Sequence, residues 1–481
     1  MKRAAALFSF SIVFSLAILA QAVIPPPDIT DEKLPNGLDV VVAENHASPF
    51  VRIDLAFKTG AISQTSHDAG SFHLLEHTLL LAKGDGISTE DSLGKIGVLD
   101  WKAETGAEYL DFDMKLPSAQ INDGMTIWST MIARDTFDQS TVDEAKKQTE
   151  SEATAQTSDP AAVYEAAMTK RVFARFPWRR DPIGDAKILE SQDAESLANL
   201  KGIWLVPSNA VLIVVGDVKP GDVFADAQAA FGSWKSAPSP WTAQFQPQPK
   251  LGVMRPTWFA IADPRIPEGL AVAEIRYRGP DLESDPHGVF VADLWADMAS
   301  APDGRFEKAA AAALPSLHGP VLVQFLSQRD GSVISVSAPI DLDGKTPAFR
   351  DAEALKEAFR GSEVMEMKID PSYFTAEEMD SAKADMIATR EKTLDTIDGM
   401  DSELRFAWCS ASKEWFLGWN AGIEAVNKEE ISDFLTDWIL HNLEVVAIRI
   451  NPTDMEKIVS TLGDNGFEHA TVDNSFWWQD R

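Results

Sequence analysis

The chain has 481 residues, 45% apolar and 24% charged, the balance of a soluble globular protein with material for two domains. Asp plus Glu number 74 against 43 Lys plus Arg, a formal charge of -31, and such a surface repels phosphate backbones, which argues against nucleic-acid binding. Cys409 is the only cysteine, so intrachain disulfides and thiolate zinc sites are excluded; beside Trp408 it reads as a packed core thiol.

At the N-terminus, Lys2 and Arg3 precede an apolar run from Ala4 to Ala20, and Ala20-Gln21-Ala22 offers the small residues a signal peptidase reads. Residues 1–22 are expected to be a cleaved secretory signal, placing the mature chain in the periplasm or outside the cell; an uncleaved anchor is the alternative. No other stretch is long and apolar enough to span a bilayer. Leu38 to Val42 and Val51 to Phe57 read as strands, the first after the turn signal Pro35-Asn36-Gly37. A helix is expected from about Ala69 to Leu81. Tyr109 to Leu116 alternates as a half-buried strand, followed by helices around Ile121 to Ile132 and Thr141 to Thr157. Ala210 to Val215, closed by Gly216-Asp217, reads as a buried strand.

The proline-rich stretch 236–256 reads as a linker. Beyond it, Ala271 to Tyr277, Val333 to Ala338 and Val445 to Ile450 read as strands, and Gly288 to Met298 and Ala376 to Lys392 as helices. Thr375 and Glu378 are spaced as a capping box for the last of these. The order of elements in the first half recurs loosely in the second. The expected fold is α+β: two similar-sized domains, 28–235 and 257–481, each a mainly antiparallel sheet packed with helices.

The chemistry is concentrated in Ser71-Phe72-His73-Leu74-Leu75-Glu76-His77-Thr78. Histidines four apart on a helix project from one face, so both imidazoles can reach one metal ion. Glu76 lies nearly on that face and can serve a water without being a ligand. The order matches the inverzincin signature. The bland alternative is an amphipathic helix carrying two incidental histidines. A catalytic zinc needs a third protein ligand, and the acidic helix Asp143 to Glu152 is the natural source. Asp143 and Glu150, seven apart, share a face there, but on spacing alone each carboxylate reads as solvated surface. His67, His287 and His318 lack ligand spacing to the motif and read as surface residues.

The stretch from about Leu34 to Trp234 resembles the catalytic domain of the pitrilysin family, which includes insulysin and the mitochondrial processing peptidase. The likeness rests on Leu34-Pro35-Asn36-Gly37-Leu38, Gly60, Ala69-Gly70-Ser71-Phe72-His73-Leu74-Leu75-Glu76-His77, Phe176-Pro177, Pro182-Ile183-Gly184, and Pro207-Ser208-Asn209 leading to Val214-Val215-Gly216-Asp217. Tyr277-Arg278-Gly279-Pro280 resembles a strand exit in the family's second domain. The resemblance implies a zinc-dependent endopeptidase acting on short unstructured peptides, with ligands His73, His77 and Glu150 and with Glu76 as general base. Glu152 is the fallback for the third ligand, and Asp143 is cast as its support from behind. Peptide substrates would add to a sheet edge at Lys102 to Asp111, where Lys102 replaces the family's usual Asn.

Active members of that family also use an Arg and a Tyr from the second domain or from a partner. The helix after Gly304-Arg305-Phe306, where these belong, holds Ala309 to Ala313 instead, and Arg305 stands too early. The second half has only Tyr277 and Tyr373. The favoured expectation is therefore a subunit that supplies zinc and base while a homologous partner chain supplies Arg and Tyr. A self-sufficient or homodimeric peptidase, and a non-catalytic binding or assembly protein that kept the metal, are the alternatives.

Overall fold

The computed structural model describes residues 29–84, 86–241, 257–342, 347–370 and 372–480. The expected signal, 1–22, and residues 242–256 of the expected linker lie outside them. Among the described residues no helix is long and apolar enough to cross a membrane.

The first half is built on strands β1 (Ile29–Lys33), β2 (Asp39–Glu44), β3 (Phe50–Phe57), β4 (Asp100–Thr105), β5 (Leu110–Pro117) and β6 (Ala210–Gly216), in the order β1-β2-β6-β3-β5-β4. Only β2 and β6 pair in parallel; the other pairs are antiparallel. Helices α1 (Ser71–Leu81), α2 (Ile121–Ile132) and α3 (Gln139–Ser158) belong to this half, followed by α4 (Pro160–Val172).

The second sheet holds β7 (Thr257–Ala262), β8 (Leu270–Arg278), β9 (Leu322–Leu326), β10 (Val333–Asp341), β11 (Val445–Ile450) and β12 (Glu468–Ala470), in the order β9-β10-β8-β11-β7-β12. Five of its strands repeat the first sheet. The series β2-β6-β3-β5-β4 maps onto β7-β11-β8-β10-β9, with the single parallel pair of that series in the same place. The helices include α5 (Pro286–Ala299), α6 (Ala376–Leu394) and α7 (Ile397–Ser410), and the Thr375–Glu378 capping box opens α6 as expected.

Each half lends the other a helix. Every residue of β6 is buried because both its faces are covered. Leu212 and Val214 pack into the core of the first half. Val211, Ile213 and Val215 pack against Leu404, Ala407, Trp408 and Cys409 of α7, so Cys409 is indeed a core thiol, one that seals the two halves. In return α4 sets Val163, Ala167 and Met168 against Phe259, Ile261, Val445 and Ala447 of the second sheet. At about 25 cal/mol per Å² of apolar surface, two such seams hold the halves as one body. Polar contacts reinforce them: the Tyr164 hydroxyl donates to Glu274 at 2.5 Å, and Arg276 makes a two-pronged pair with Glu165.

Candidate metal centre

Helix α1 is buried along nearly its whole length, with Leu74, Leu75 and Leu79 in the core of the first half. Its start is fixed by close backbone contact. Gly70 has a positive φ of 90°, and a Cβ there would lie 2.4 Å from the Ile183 carbonyl oxygen. Gly184 meets the Ala69 oxygen just as tightly, at 2.3 Å. Only glycine admits both the conformation and the approach. The loop they bring in is tied down by Asp181, which accepts from the backbone N–H of Ile183 and Gly184 and from Trp477 Nε1. Pro182 and Ile183 are thereby placed at the mouth of the histidine site.

His73 and His77 point the same way, as their spacing predicts, with Nε2 atoms 3.1 Å apart. Glu152 of α3 closes the triangle: its Oε2 lies 3.1 Å from His73 Nε2 and its Oε1 3.4 Å from His77 Nε2. Among the described residues this is the sole group of three His, Cys, Asp or Glu side chains placed to hold one metal ion. Tetrahedral zinc with bonds of about 2.0–2.1 Å separates its nitrogen and oxygen ligands by about 3.3 Å, so the three donors fit such an ion without rearrangement. The chemistry of the set, two imidazoles and one carboxylate, is also that of a hydrolytic zinc site. Gln148 Oε1 stands 2.9 Å from His77 Nδ1 and accepts its N–H, which leaves the Nε2 lone pair free to face a metal. His73 Nδ1 is buried without a hydrogen-bond partner.

Glu150, the expected third ligand, is not the carboxylate that meets the histidines. The fallback residue Glu152, exposed like Glu150, takes its place. The reason is helical phase. The buried residues of α3 are Val142, Ala145 and Thr149, spaced three and four apart, and Glu152 continues that stripe. Glu150 stands one position, about 100°, beyond Thr149 and turns away. Asp143 is likewise off the stripe and exposed, accepting a bond from Gln139 at 2.9 Å, so it does not support the site. The residue seven before Glu152 is the buried Ala145.

Glu76 is buried beside the histidines, and the Thr105 hydroxyl donates to its Oε2 at 2.6 Å. Burial pushes its carboxyl above the ordinary range, while His73 and the Thr105 bond pull it down. Glu152 behaves oppositely, held below the usual carboxylate range chiefly by its hydrogen bond with His73. Two acids with opposed shifts beside one metal site suit separate tasks, a proton acceptor and a ligand. A cavity of about 380 Å³ opens over them, bordered by Trp101, Ala103 and Thr105 of the edge strand β4, and its described lining comes entirely from the first half. Lys102 faces away from this cavity, 3.5 Å from Glu104 and 3.8 Å from Asp111. Arg305 is engaged within the second half, bonded to Asp370 and Ser372 and lying over the ring of Tyr373. Tyr277 and Tyr373 are both fully buried in the second core. His67, His287 and His318 lie outside the group.

Residues 39–183 match the family model described as Insulinase (Peptidase family M16). The curated zinc protease PqqE of Helicobacter pylori is 22% identical over 210 residues, 42% of this chain and 46% of that protein. Residues 39–183 belong to the insulinase family. The alignment spans about half the length of that curated relative. The insulinase fold extends over both halves: the periplasmic protease PqqL from Escherichia coli superposes with a TM-score of 0.73 at 16% identity, covering 92% of this chain and 51% of that one. A peptidase M16 inactive domain from Pseudomonas fluorescens superposes at 0.69 and 14% identity, covering 88% and 98%. At such identities these two likenesses speak for fold alone.

Proposed function

We propose that this insulinase-family chain is a zinc-dependent endopeptidase subunit that hydrolyses short, unstructured peptides outside the cytoplasm. The observation that carries the reading is the convergence of His73, His77 and Glu152 on one point with Glu76 buried beside it. His73, His77 and Glu152 would hold zinc, which supplies a Lewis acid that polarises a peptide carbonyl and acidifies water. Glu76 is the proton carrier. The Thr105 hydroxyl occupies Oε2, so Oε1 takes the proton from water and returns it to the leaving nitrogen. Strand β4 is an open sheet edge beside this cavity, able to bind an extended peptide through backbone bonds.

The Arg and Tyr that active relatives use are to come from a homologous partner chain, a reading favoured by the all-first-half lining of the cavity and by the engagement of Arg305 elsewhere. A second reading, a metal-retaining protein without catalysis, draws support from the inactive-domain neighbour. One experiment separates them: zinc content and peptide cleavage of the wild type and Glu76→Gln, with and without co-purified partner. The proposal expects zinc in both forms, and cleavage by wild type with partner that falls about 10²–10⁴-fold in the variant. Zinc without any cleavage that depends on Glu76 would favour the second reading.

A further inference from the structure

Strand β4 borders two cavities. Trp101, Ala103 and Thr105 face the metal site, and a second cavity of about 440 Å³ lies on the reverse face of the strand, sharing Trp101 as a wall. It forms where the first sheet meets the borrowed helix α7. Arg52 of β3 bonds Asp113 and reaches Asp100 and Asp398 at 3.1 and 3.0 Å. Arg405 of α7 bonds Asp54 at 2.7 Å and Asp401 at 3.2 Å. Arg405 also lies 3.2 Å from Asp111, Lys115 pairs with Asp398, and Lys102 lines the same cavity, so four cationic groups serve six carboxylates.

The shortfall is visible on the cavity floor. Asp113 is 0% exposed and Asp401 2%, both line the cavity, and the Oδ1 of each has no hydrogen-bond partner. A buried, unpartnered carboxylate oxygen costs several kcal/mol in water-free surroundings unless a cation or a donor approaches it, on the order of the values for unpaired buried charge. Burial accordingly pushes both acids above their ordinary range. These carboxylates are not spaced to share a metal ion, since the histidine site is the sole such group among the described residues. The mouth is flanked by the exposed Asp100 and Asp398 and by the ring of Trp101, which suits an organic cation on a slender apolar stem.

We propose that this cavity is a specificity pocket for a lysine or arginine side chain of the bound peptide. The proposal rests on the reading that peptides add to β4. In an added strand alternate side chains project to opposite faces, so neighbours of the residues facing the metal reach the reverse side. The peptide's backbone is then read at the strand edge, and its charge is read behind it.

The test is fluorescence anisotropy with unstructured labelled peptides and the zinc-loaded full chain carrying Glu76→Gln, placing Lys, Arg or Gln at each position in turn. The expected result is one position, or two positions separated by two, where the cation binds about tenfold more tightly than Gln, with the gap narrowing as salt rises. Asp401→Asn, and separately the paired exposed changes Asp100→Asn and Asp398→Asn, should reduce that preference to about threefold or less. The exposed pair keeps the test open should Asp401→Asn fail to fold. Peptides that bind with no cationic preference at any position, or with a preference that survives these substitutions, overturn the pocket and leave the peptidase reading standing. No peptide binding at all would overturn the reading at β4, and the pocket with it.

Discussion

Gln148 and His77 meet across the packing of α1 on α3, with Oε1 of the amide 2.9 Å from Nδ1 of the ring. The contact fixes the tautomer that turns a lone pair toward Glu152 and His73. Removing it frees the ring to rotate and to protonate on the wrong nitrogen. Gln148→Leu is therefore expected to weaken zinc binding about 10–100-fold with the fold intact, measured by competition against a metal chelator. Unchanged affinity would mean that packing alone orients His77.

Thr105 acts on the base rather than on the ligands. Its hydroxyl stabilises the ionised form of Glu76 against the cost of burial. Thr105→Val removes that stabilisation, so Glu76 should ionise at higher pH and the acid limb of the kcat/KM profile should move up. Zinc content should not change. An acid limb that stays in place would separate Thr105 from the proton chemistry.

The same sheet carries a pH-dependent element of stability. Burial pushes Asp111 up to about 7, against about 3.9 for an unfolded Asp. Between those values the folded chain holds a proton that the unfolded chain does not. Its stabilisation is complete below the unfolded value and is lost as pH rises through the folded one. The melting temperature should fall between about pH 4 and about pH 7, and Asp111→Asn should flatten that fall. An equally steep decline in the variant would assign the dependence to other groups.

Local patterns were legible in the sequence, and contacts between elements were not. His73, Glu76 and His77 share one turn of helix, so periodicity alone places them on one face. The two-sheet α+β architecture is written in alternation and in runs such as Ala210 to Val215. That run announces a strand covered on both faces, but nothing local says that α7, some 190 residues later, supplies one cover. The third carboxylate differs from the expected one for a related reason. A family spacing of seven pointed to Asp143 and Glu150, whereas the helix's own phase, set by Val142, Ala145 and Thr149, selects Glu152. On so polar a helix that stripe contains only two apolar residues, a faint signal that was nonetheless present. Gln148 left no trace in sequence, because its role depends on how α3 crosses α1.

Zinc analysis of three purified chains addresses the central claim most directly. Wild type and Glu150→Gln should each carry one zinc per chain, and Glu152→Gln should lose most of it. Zinc retained by Glu152→Gln and lost from Glu150→Gln would contradict the site described here.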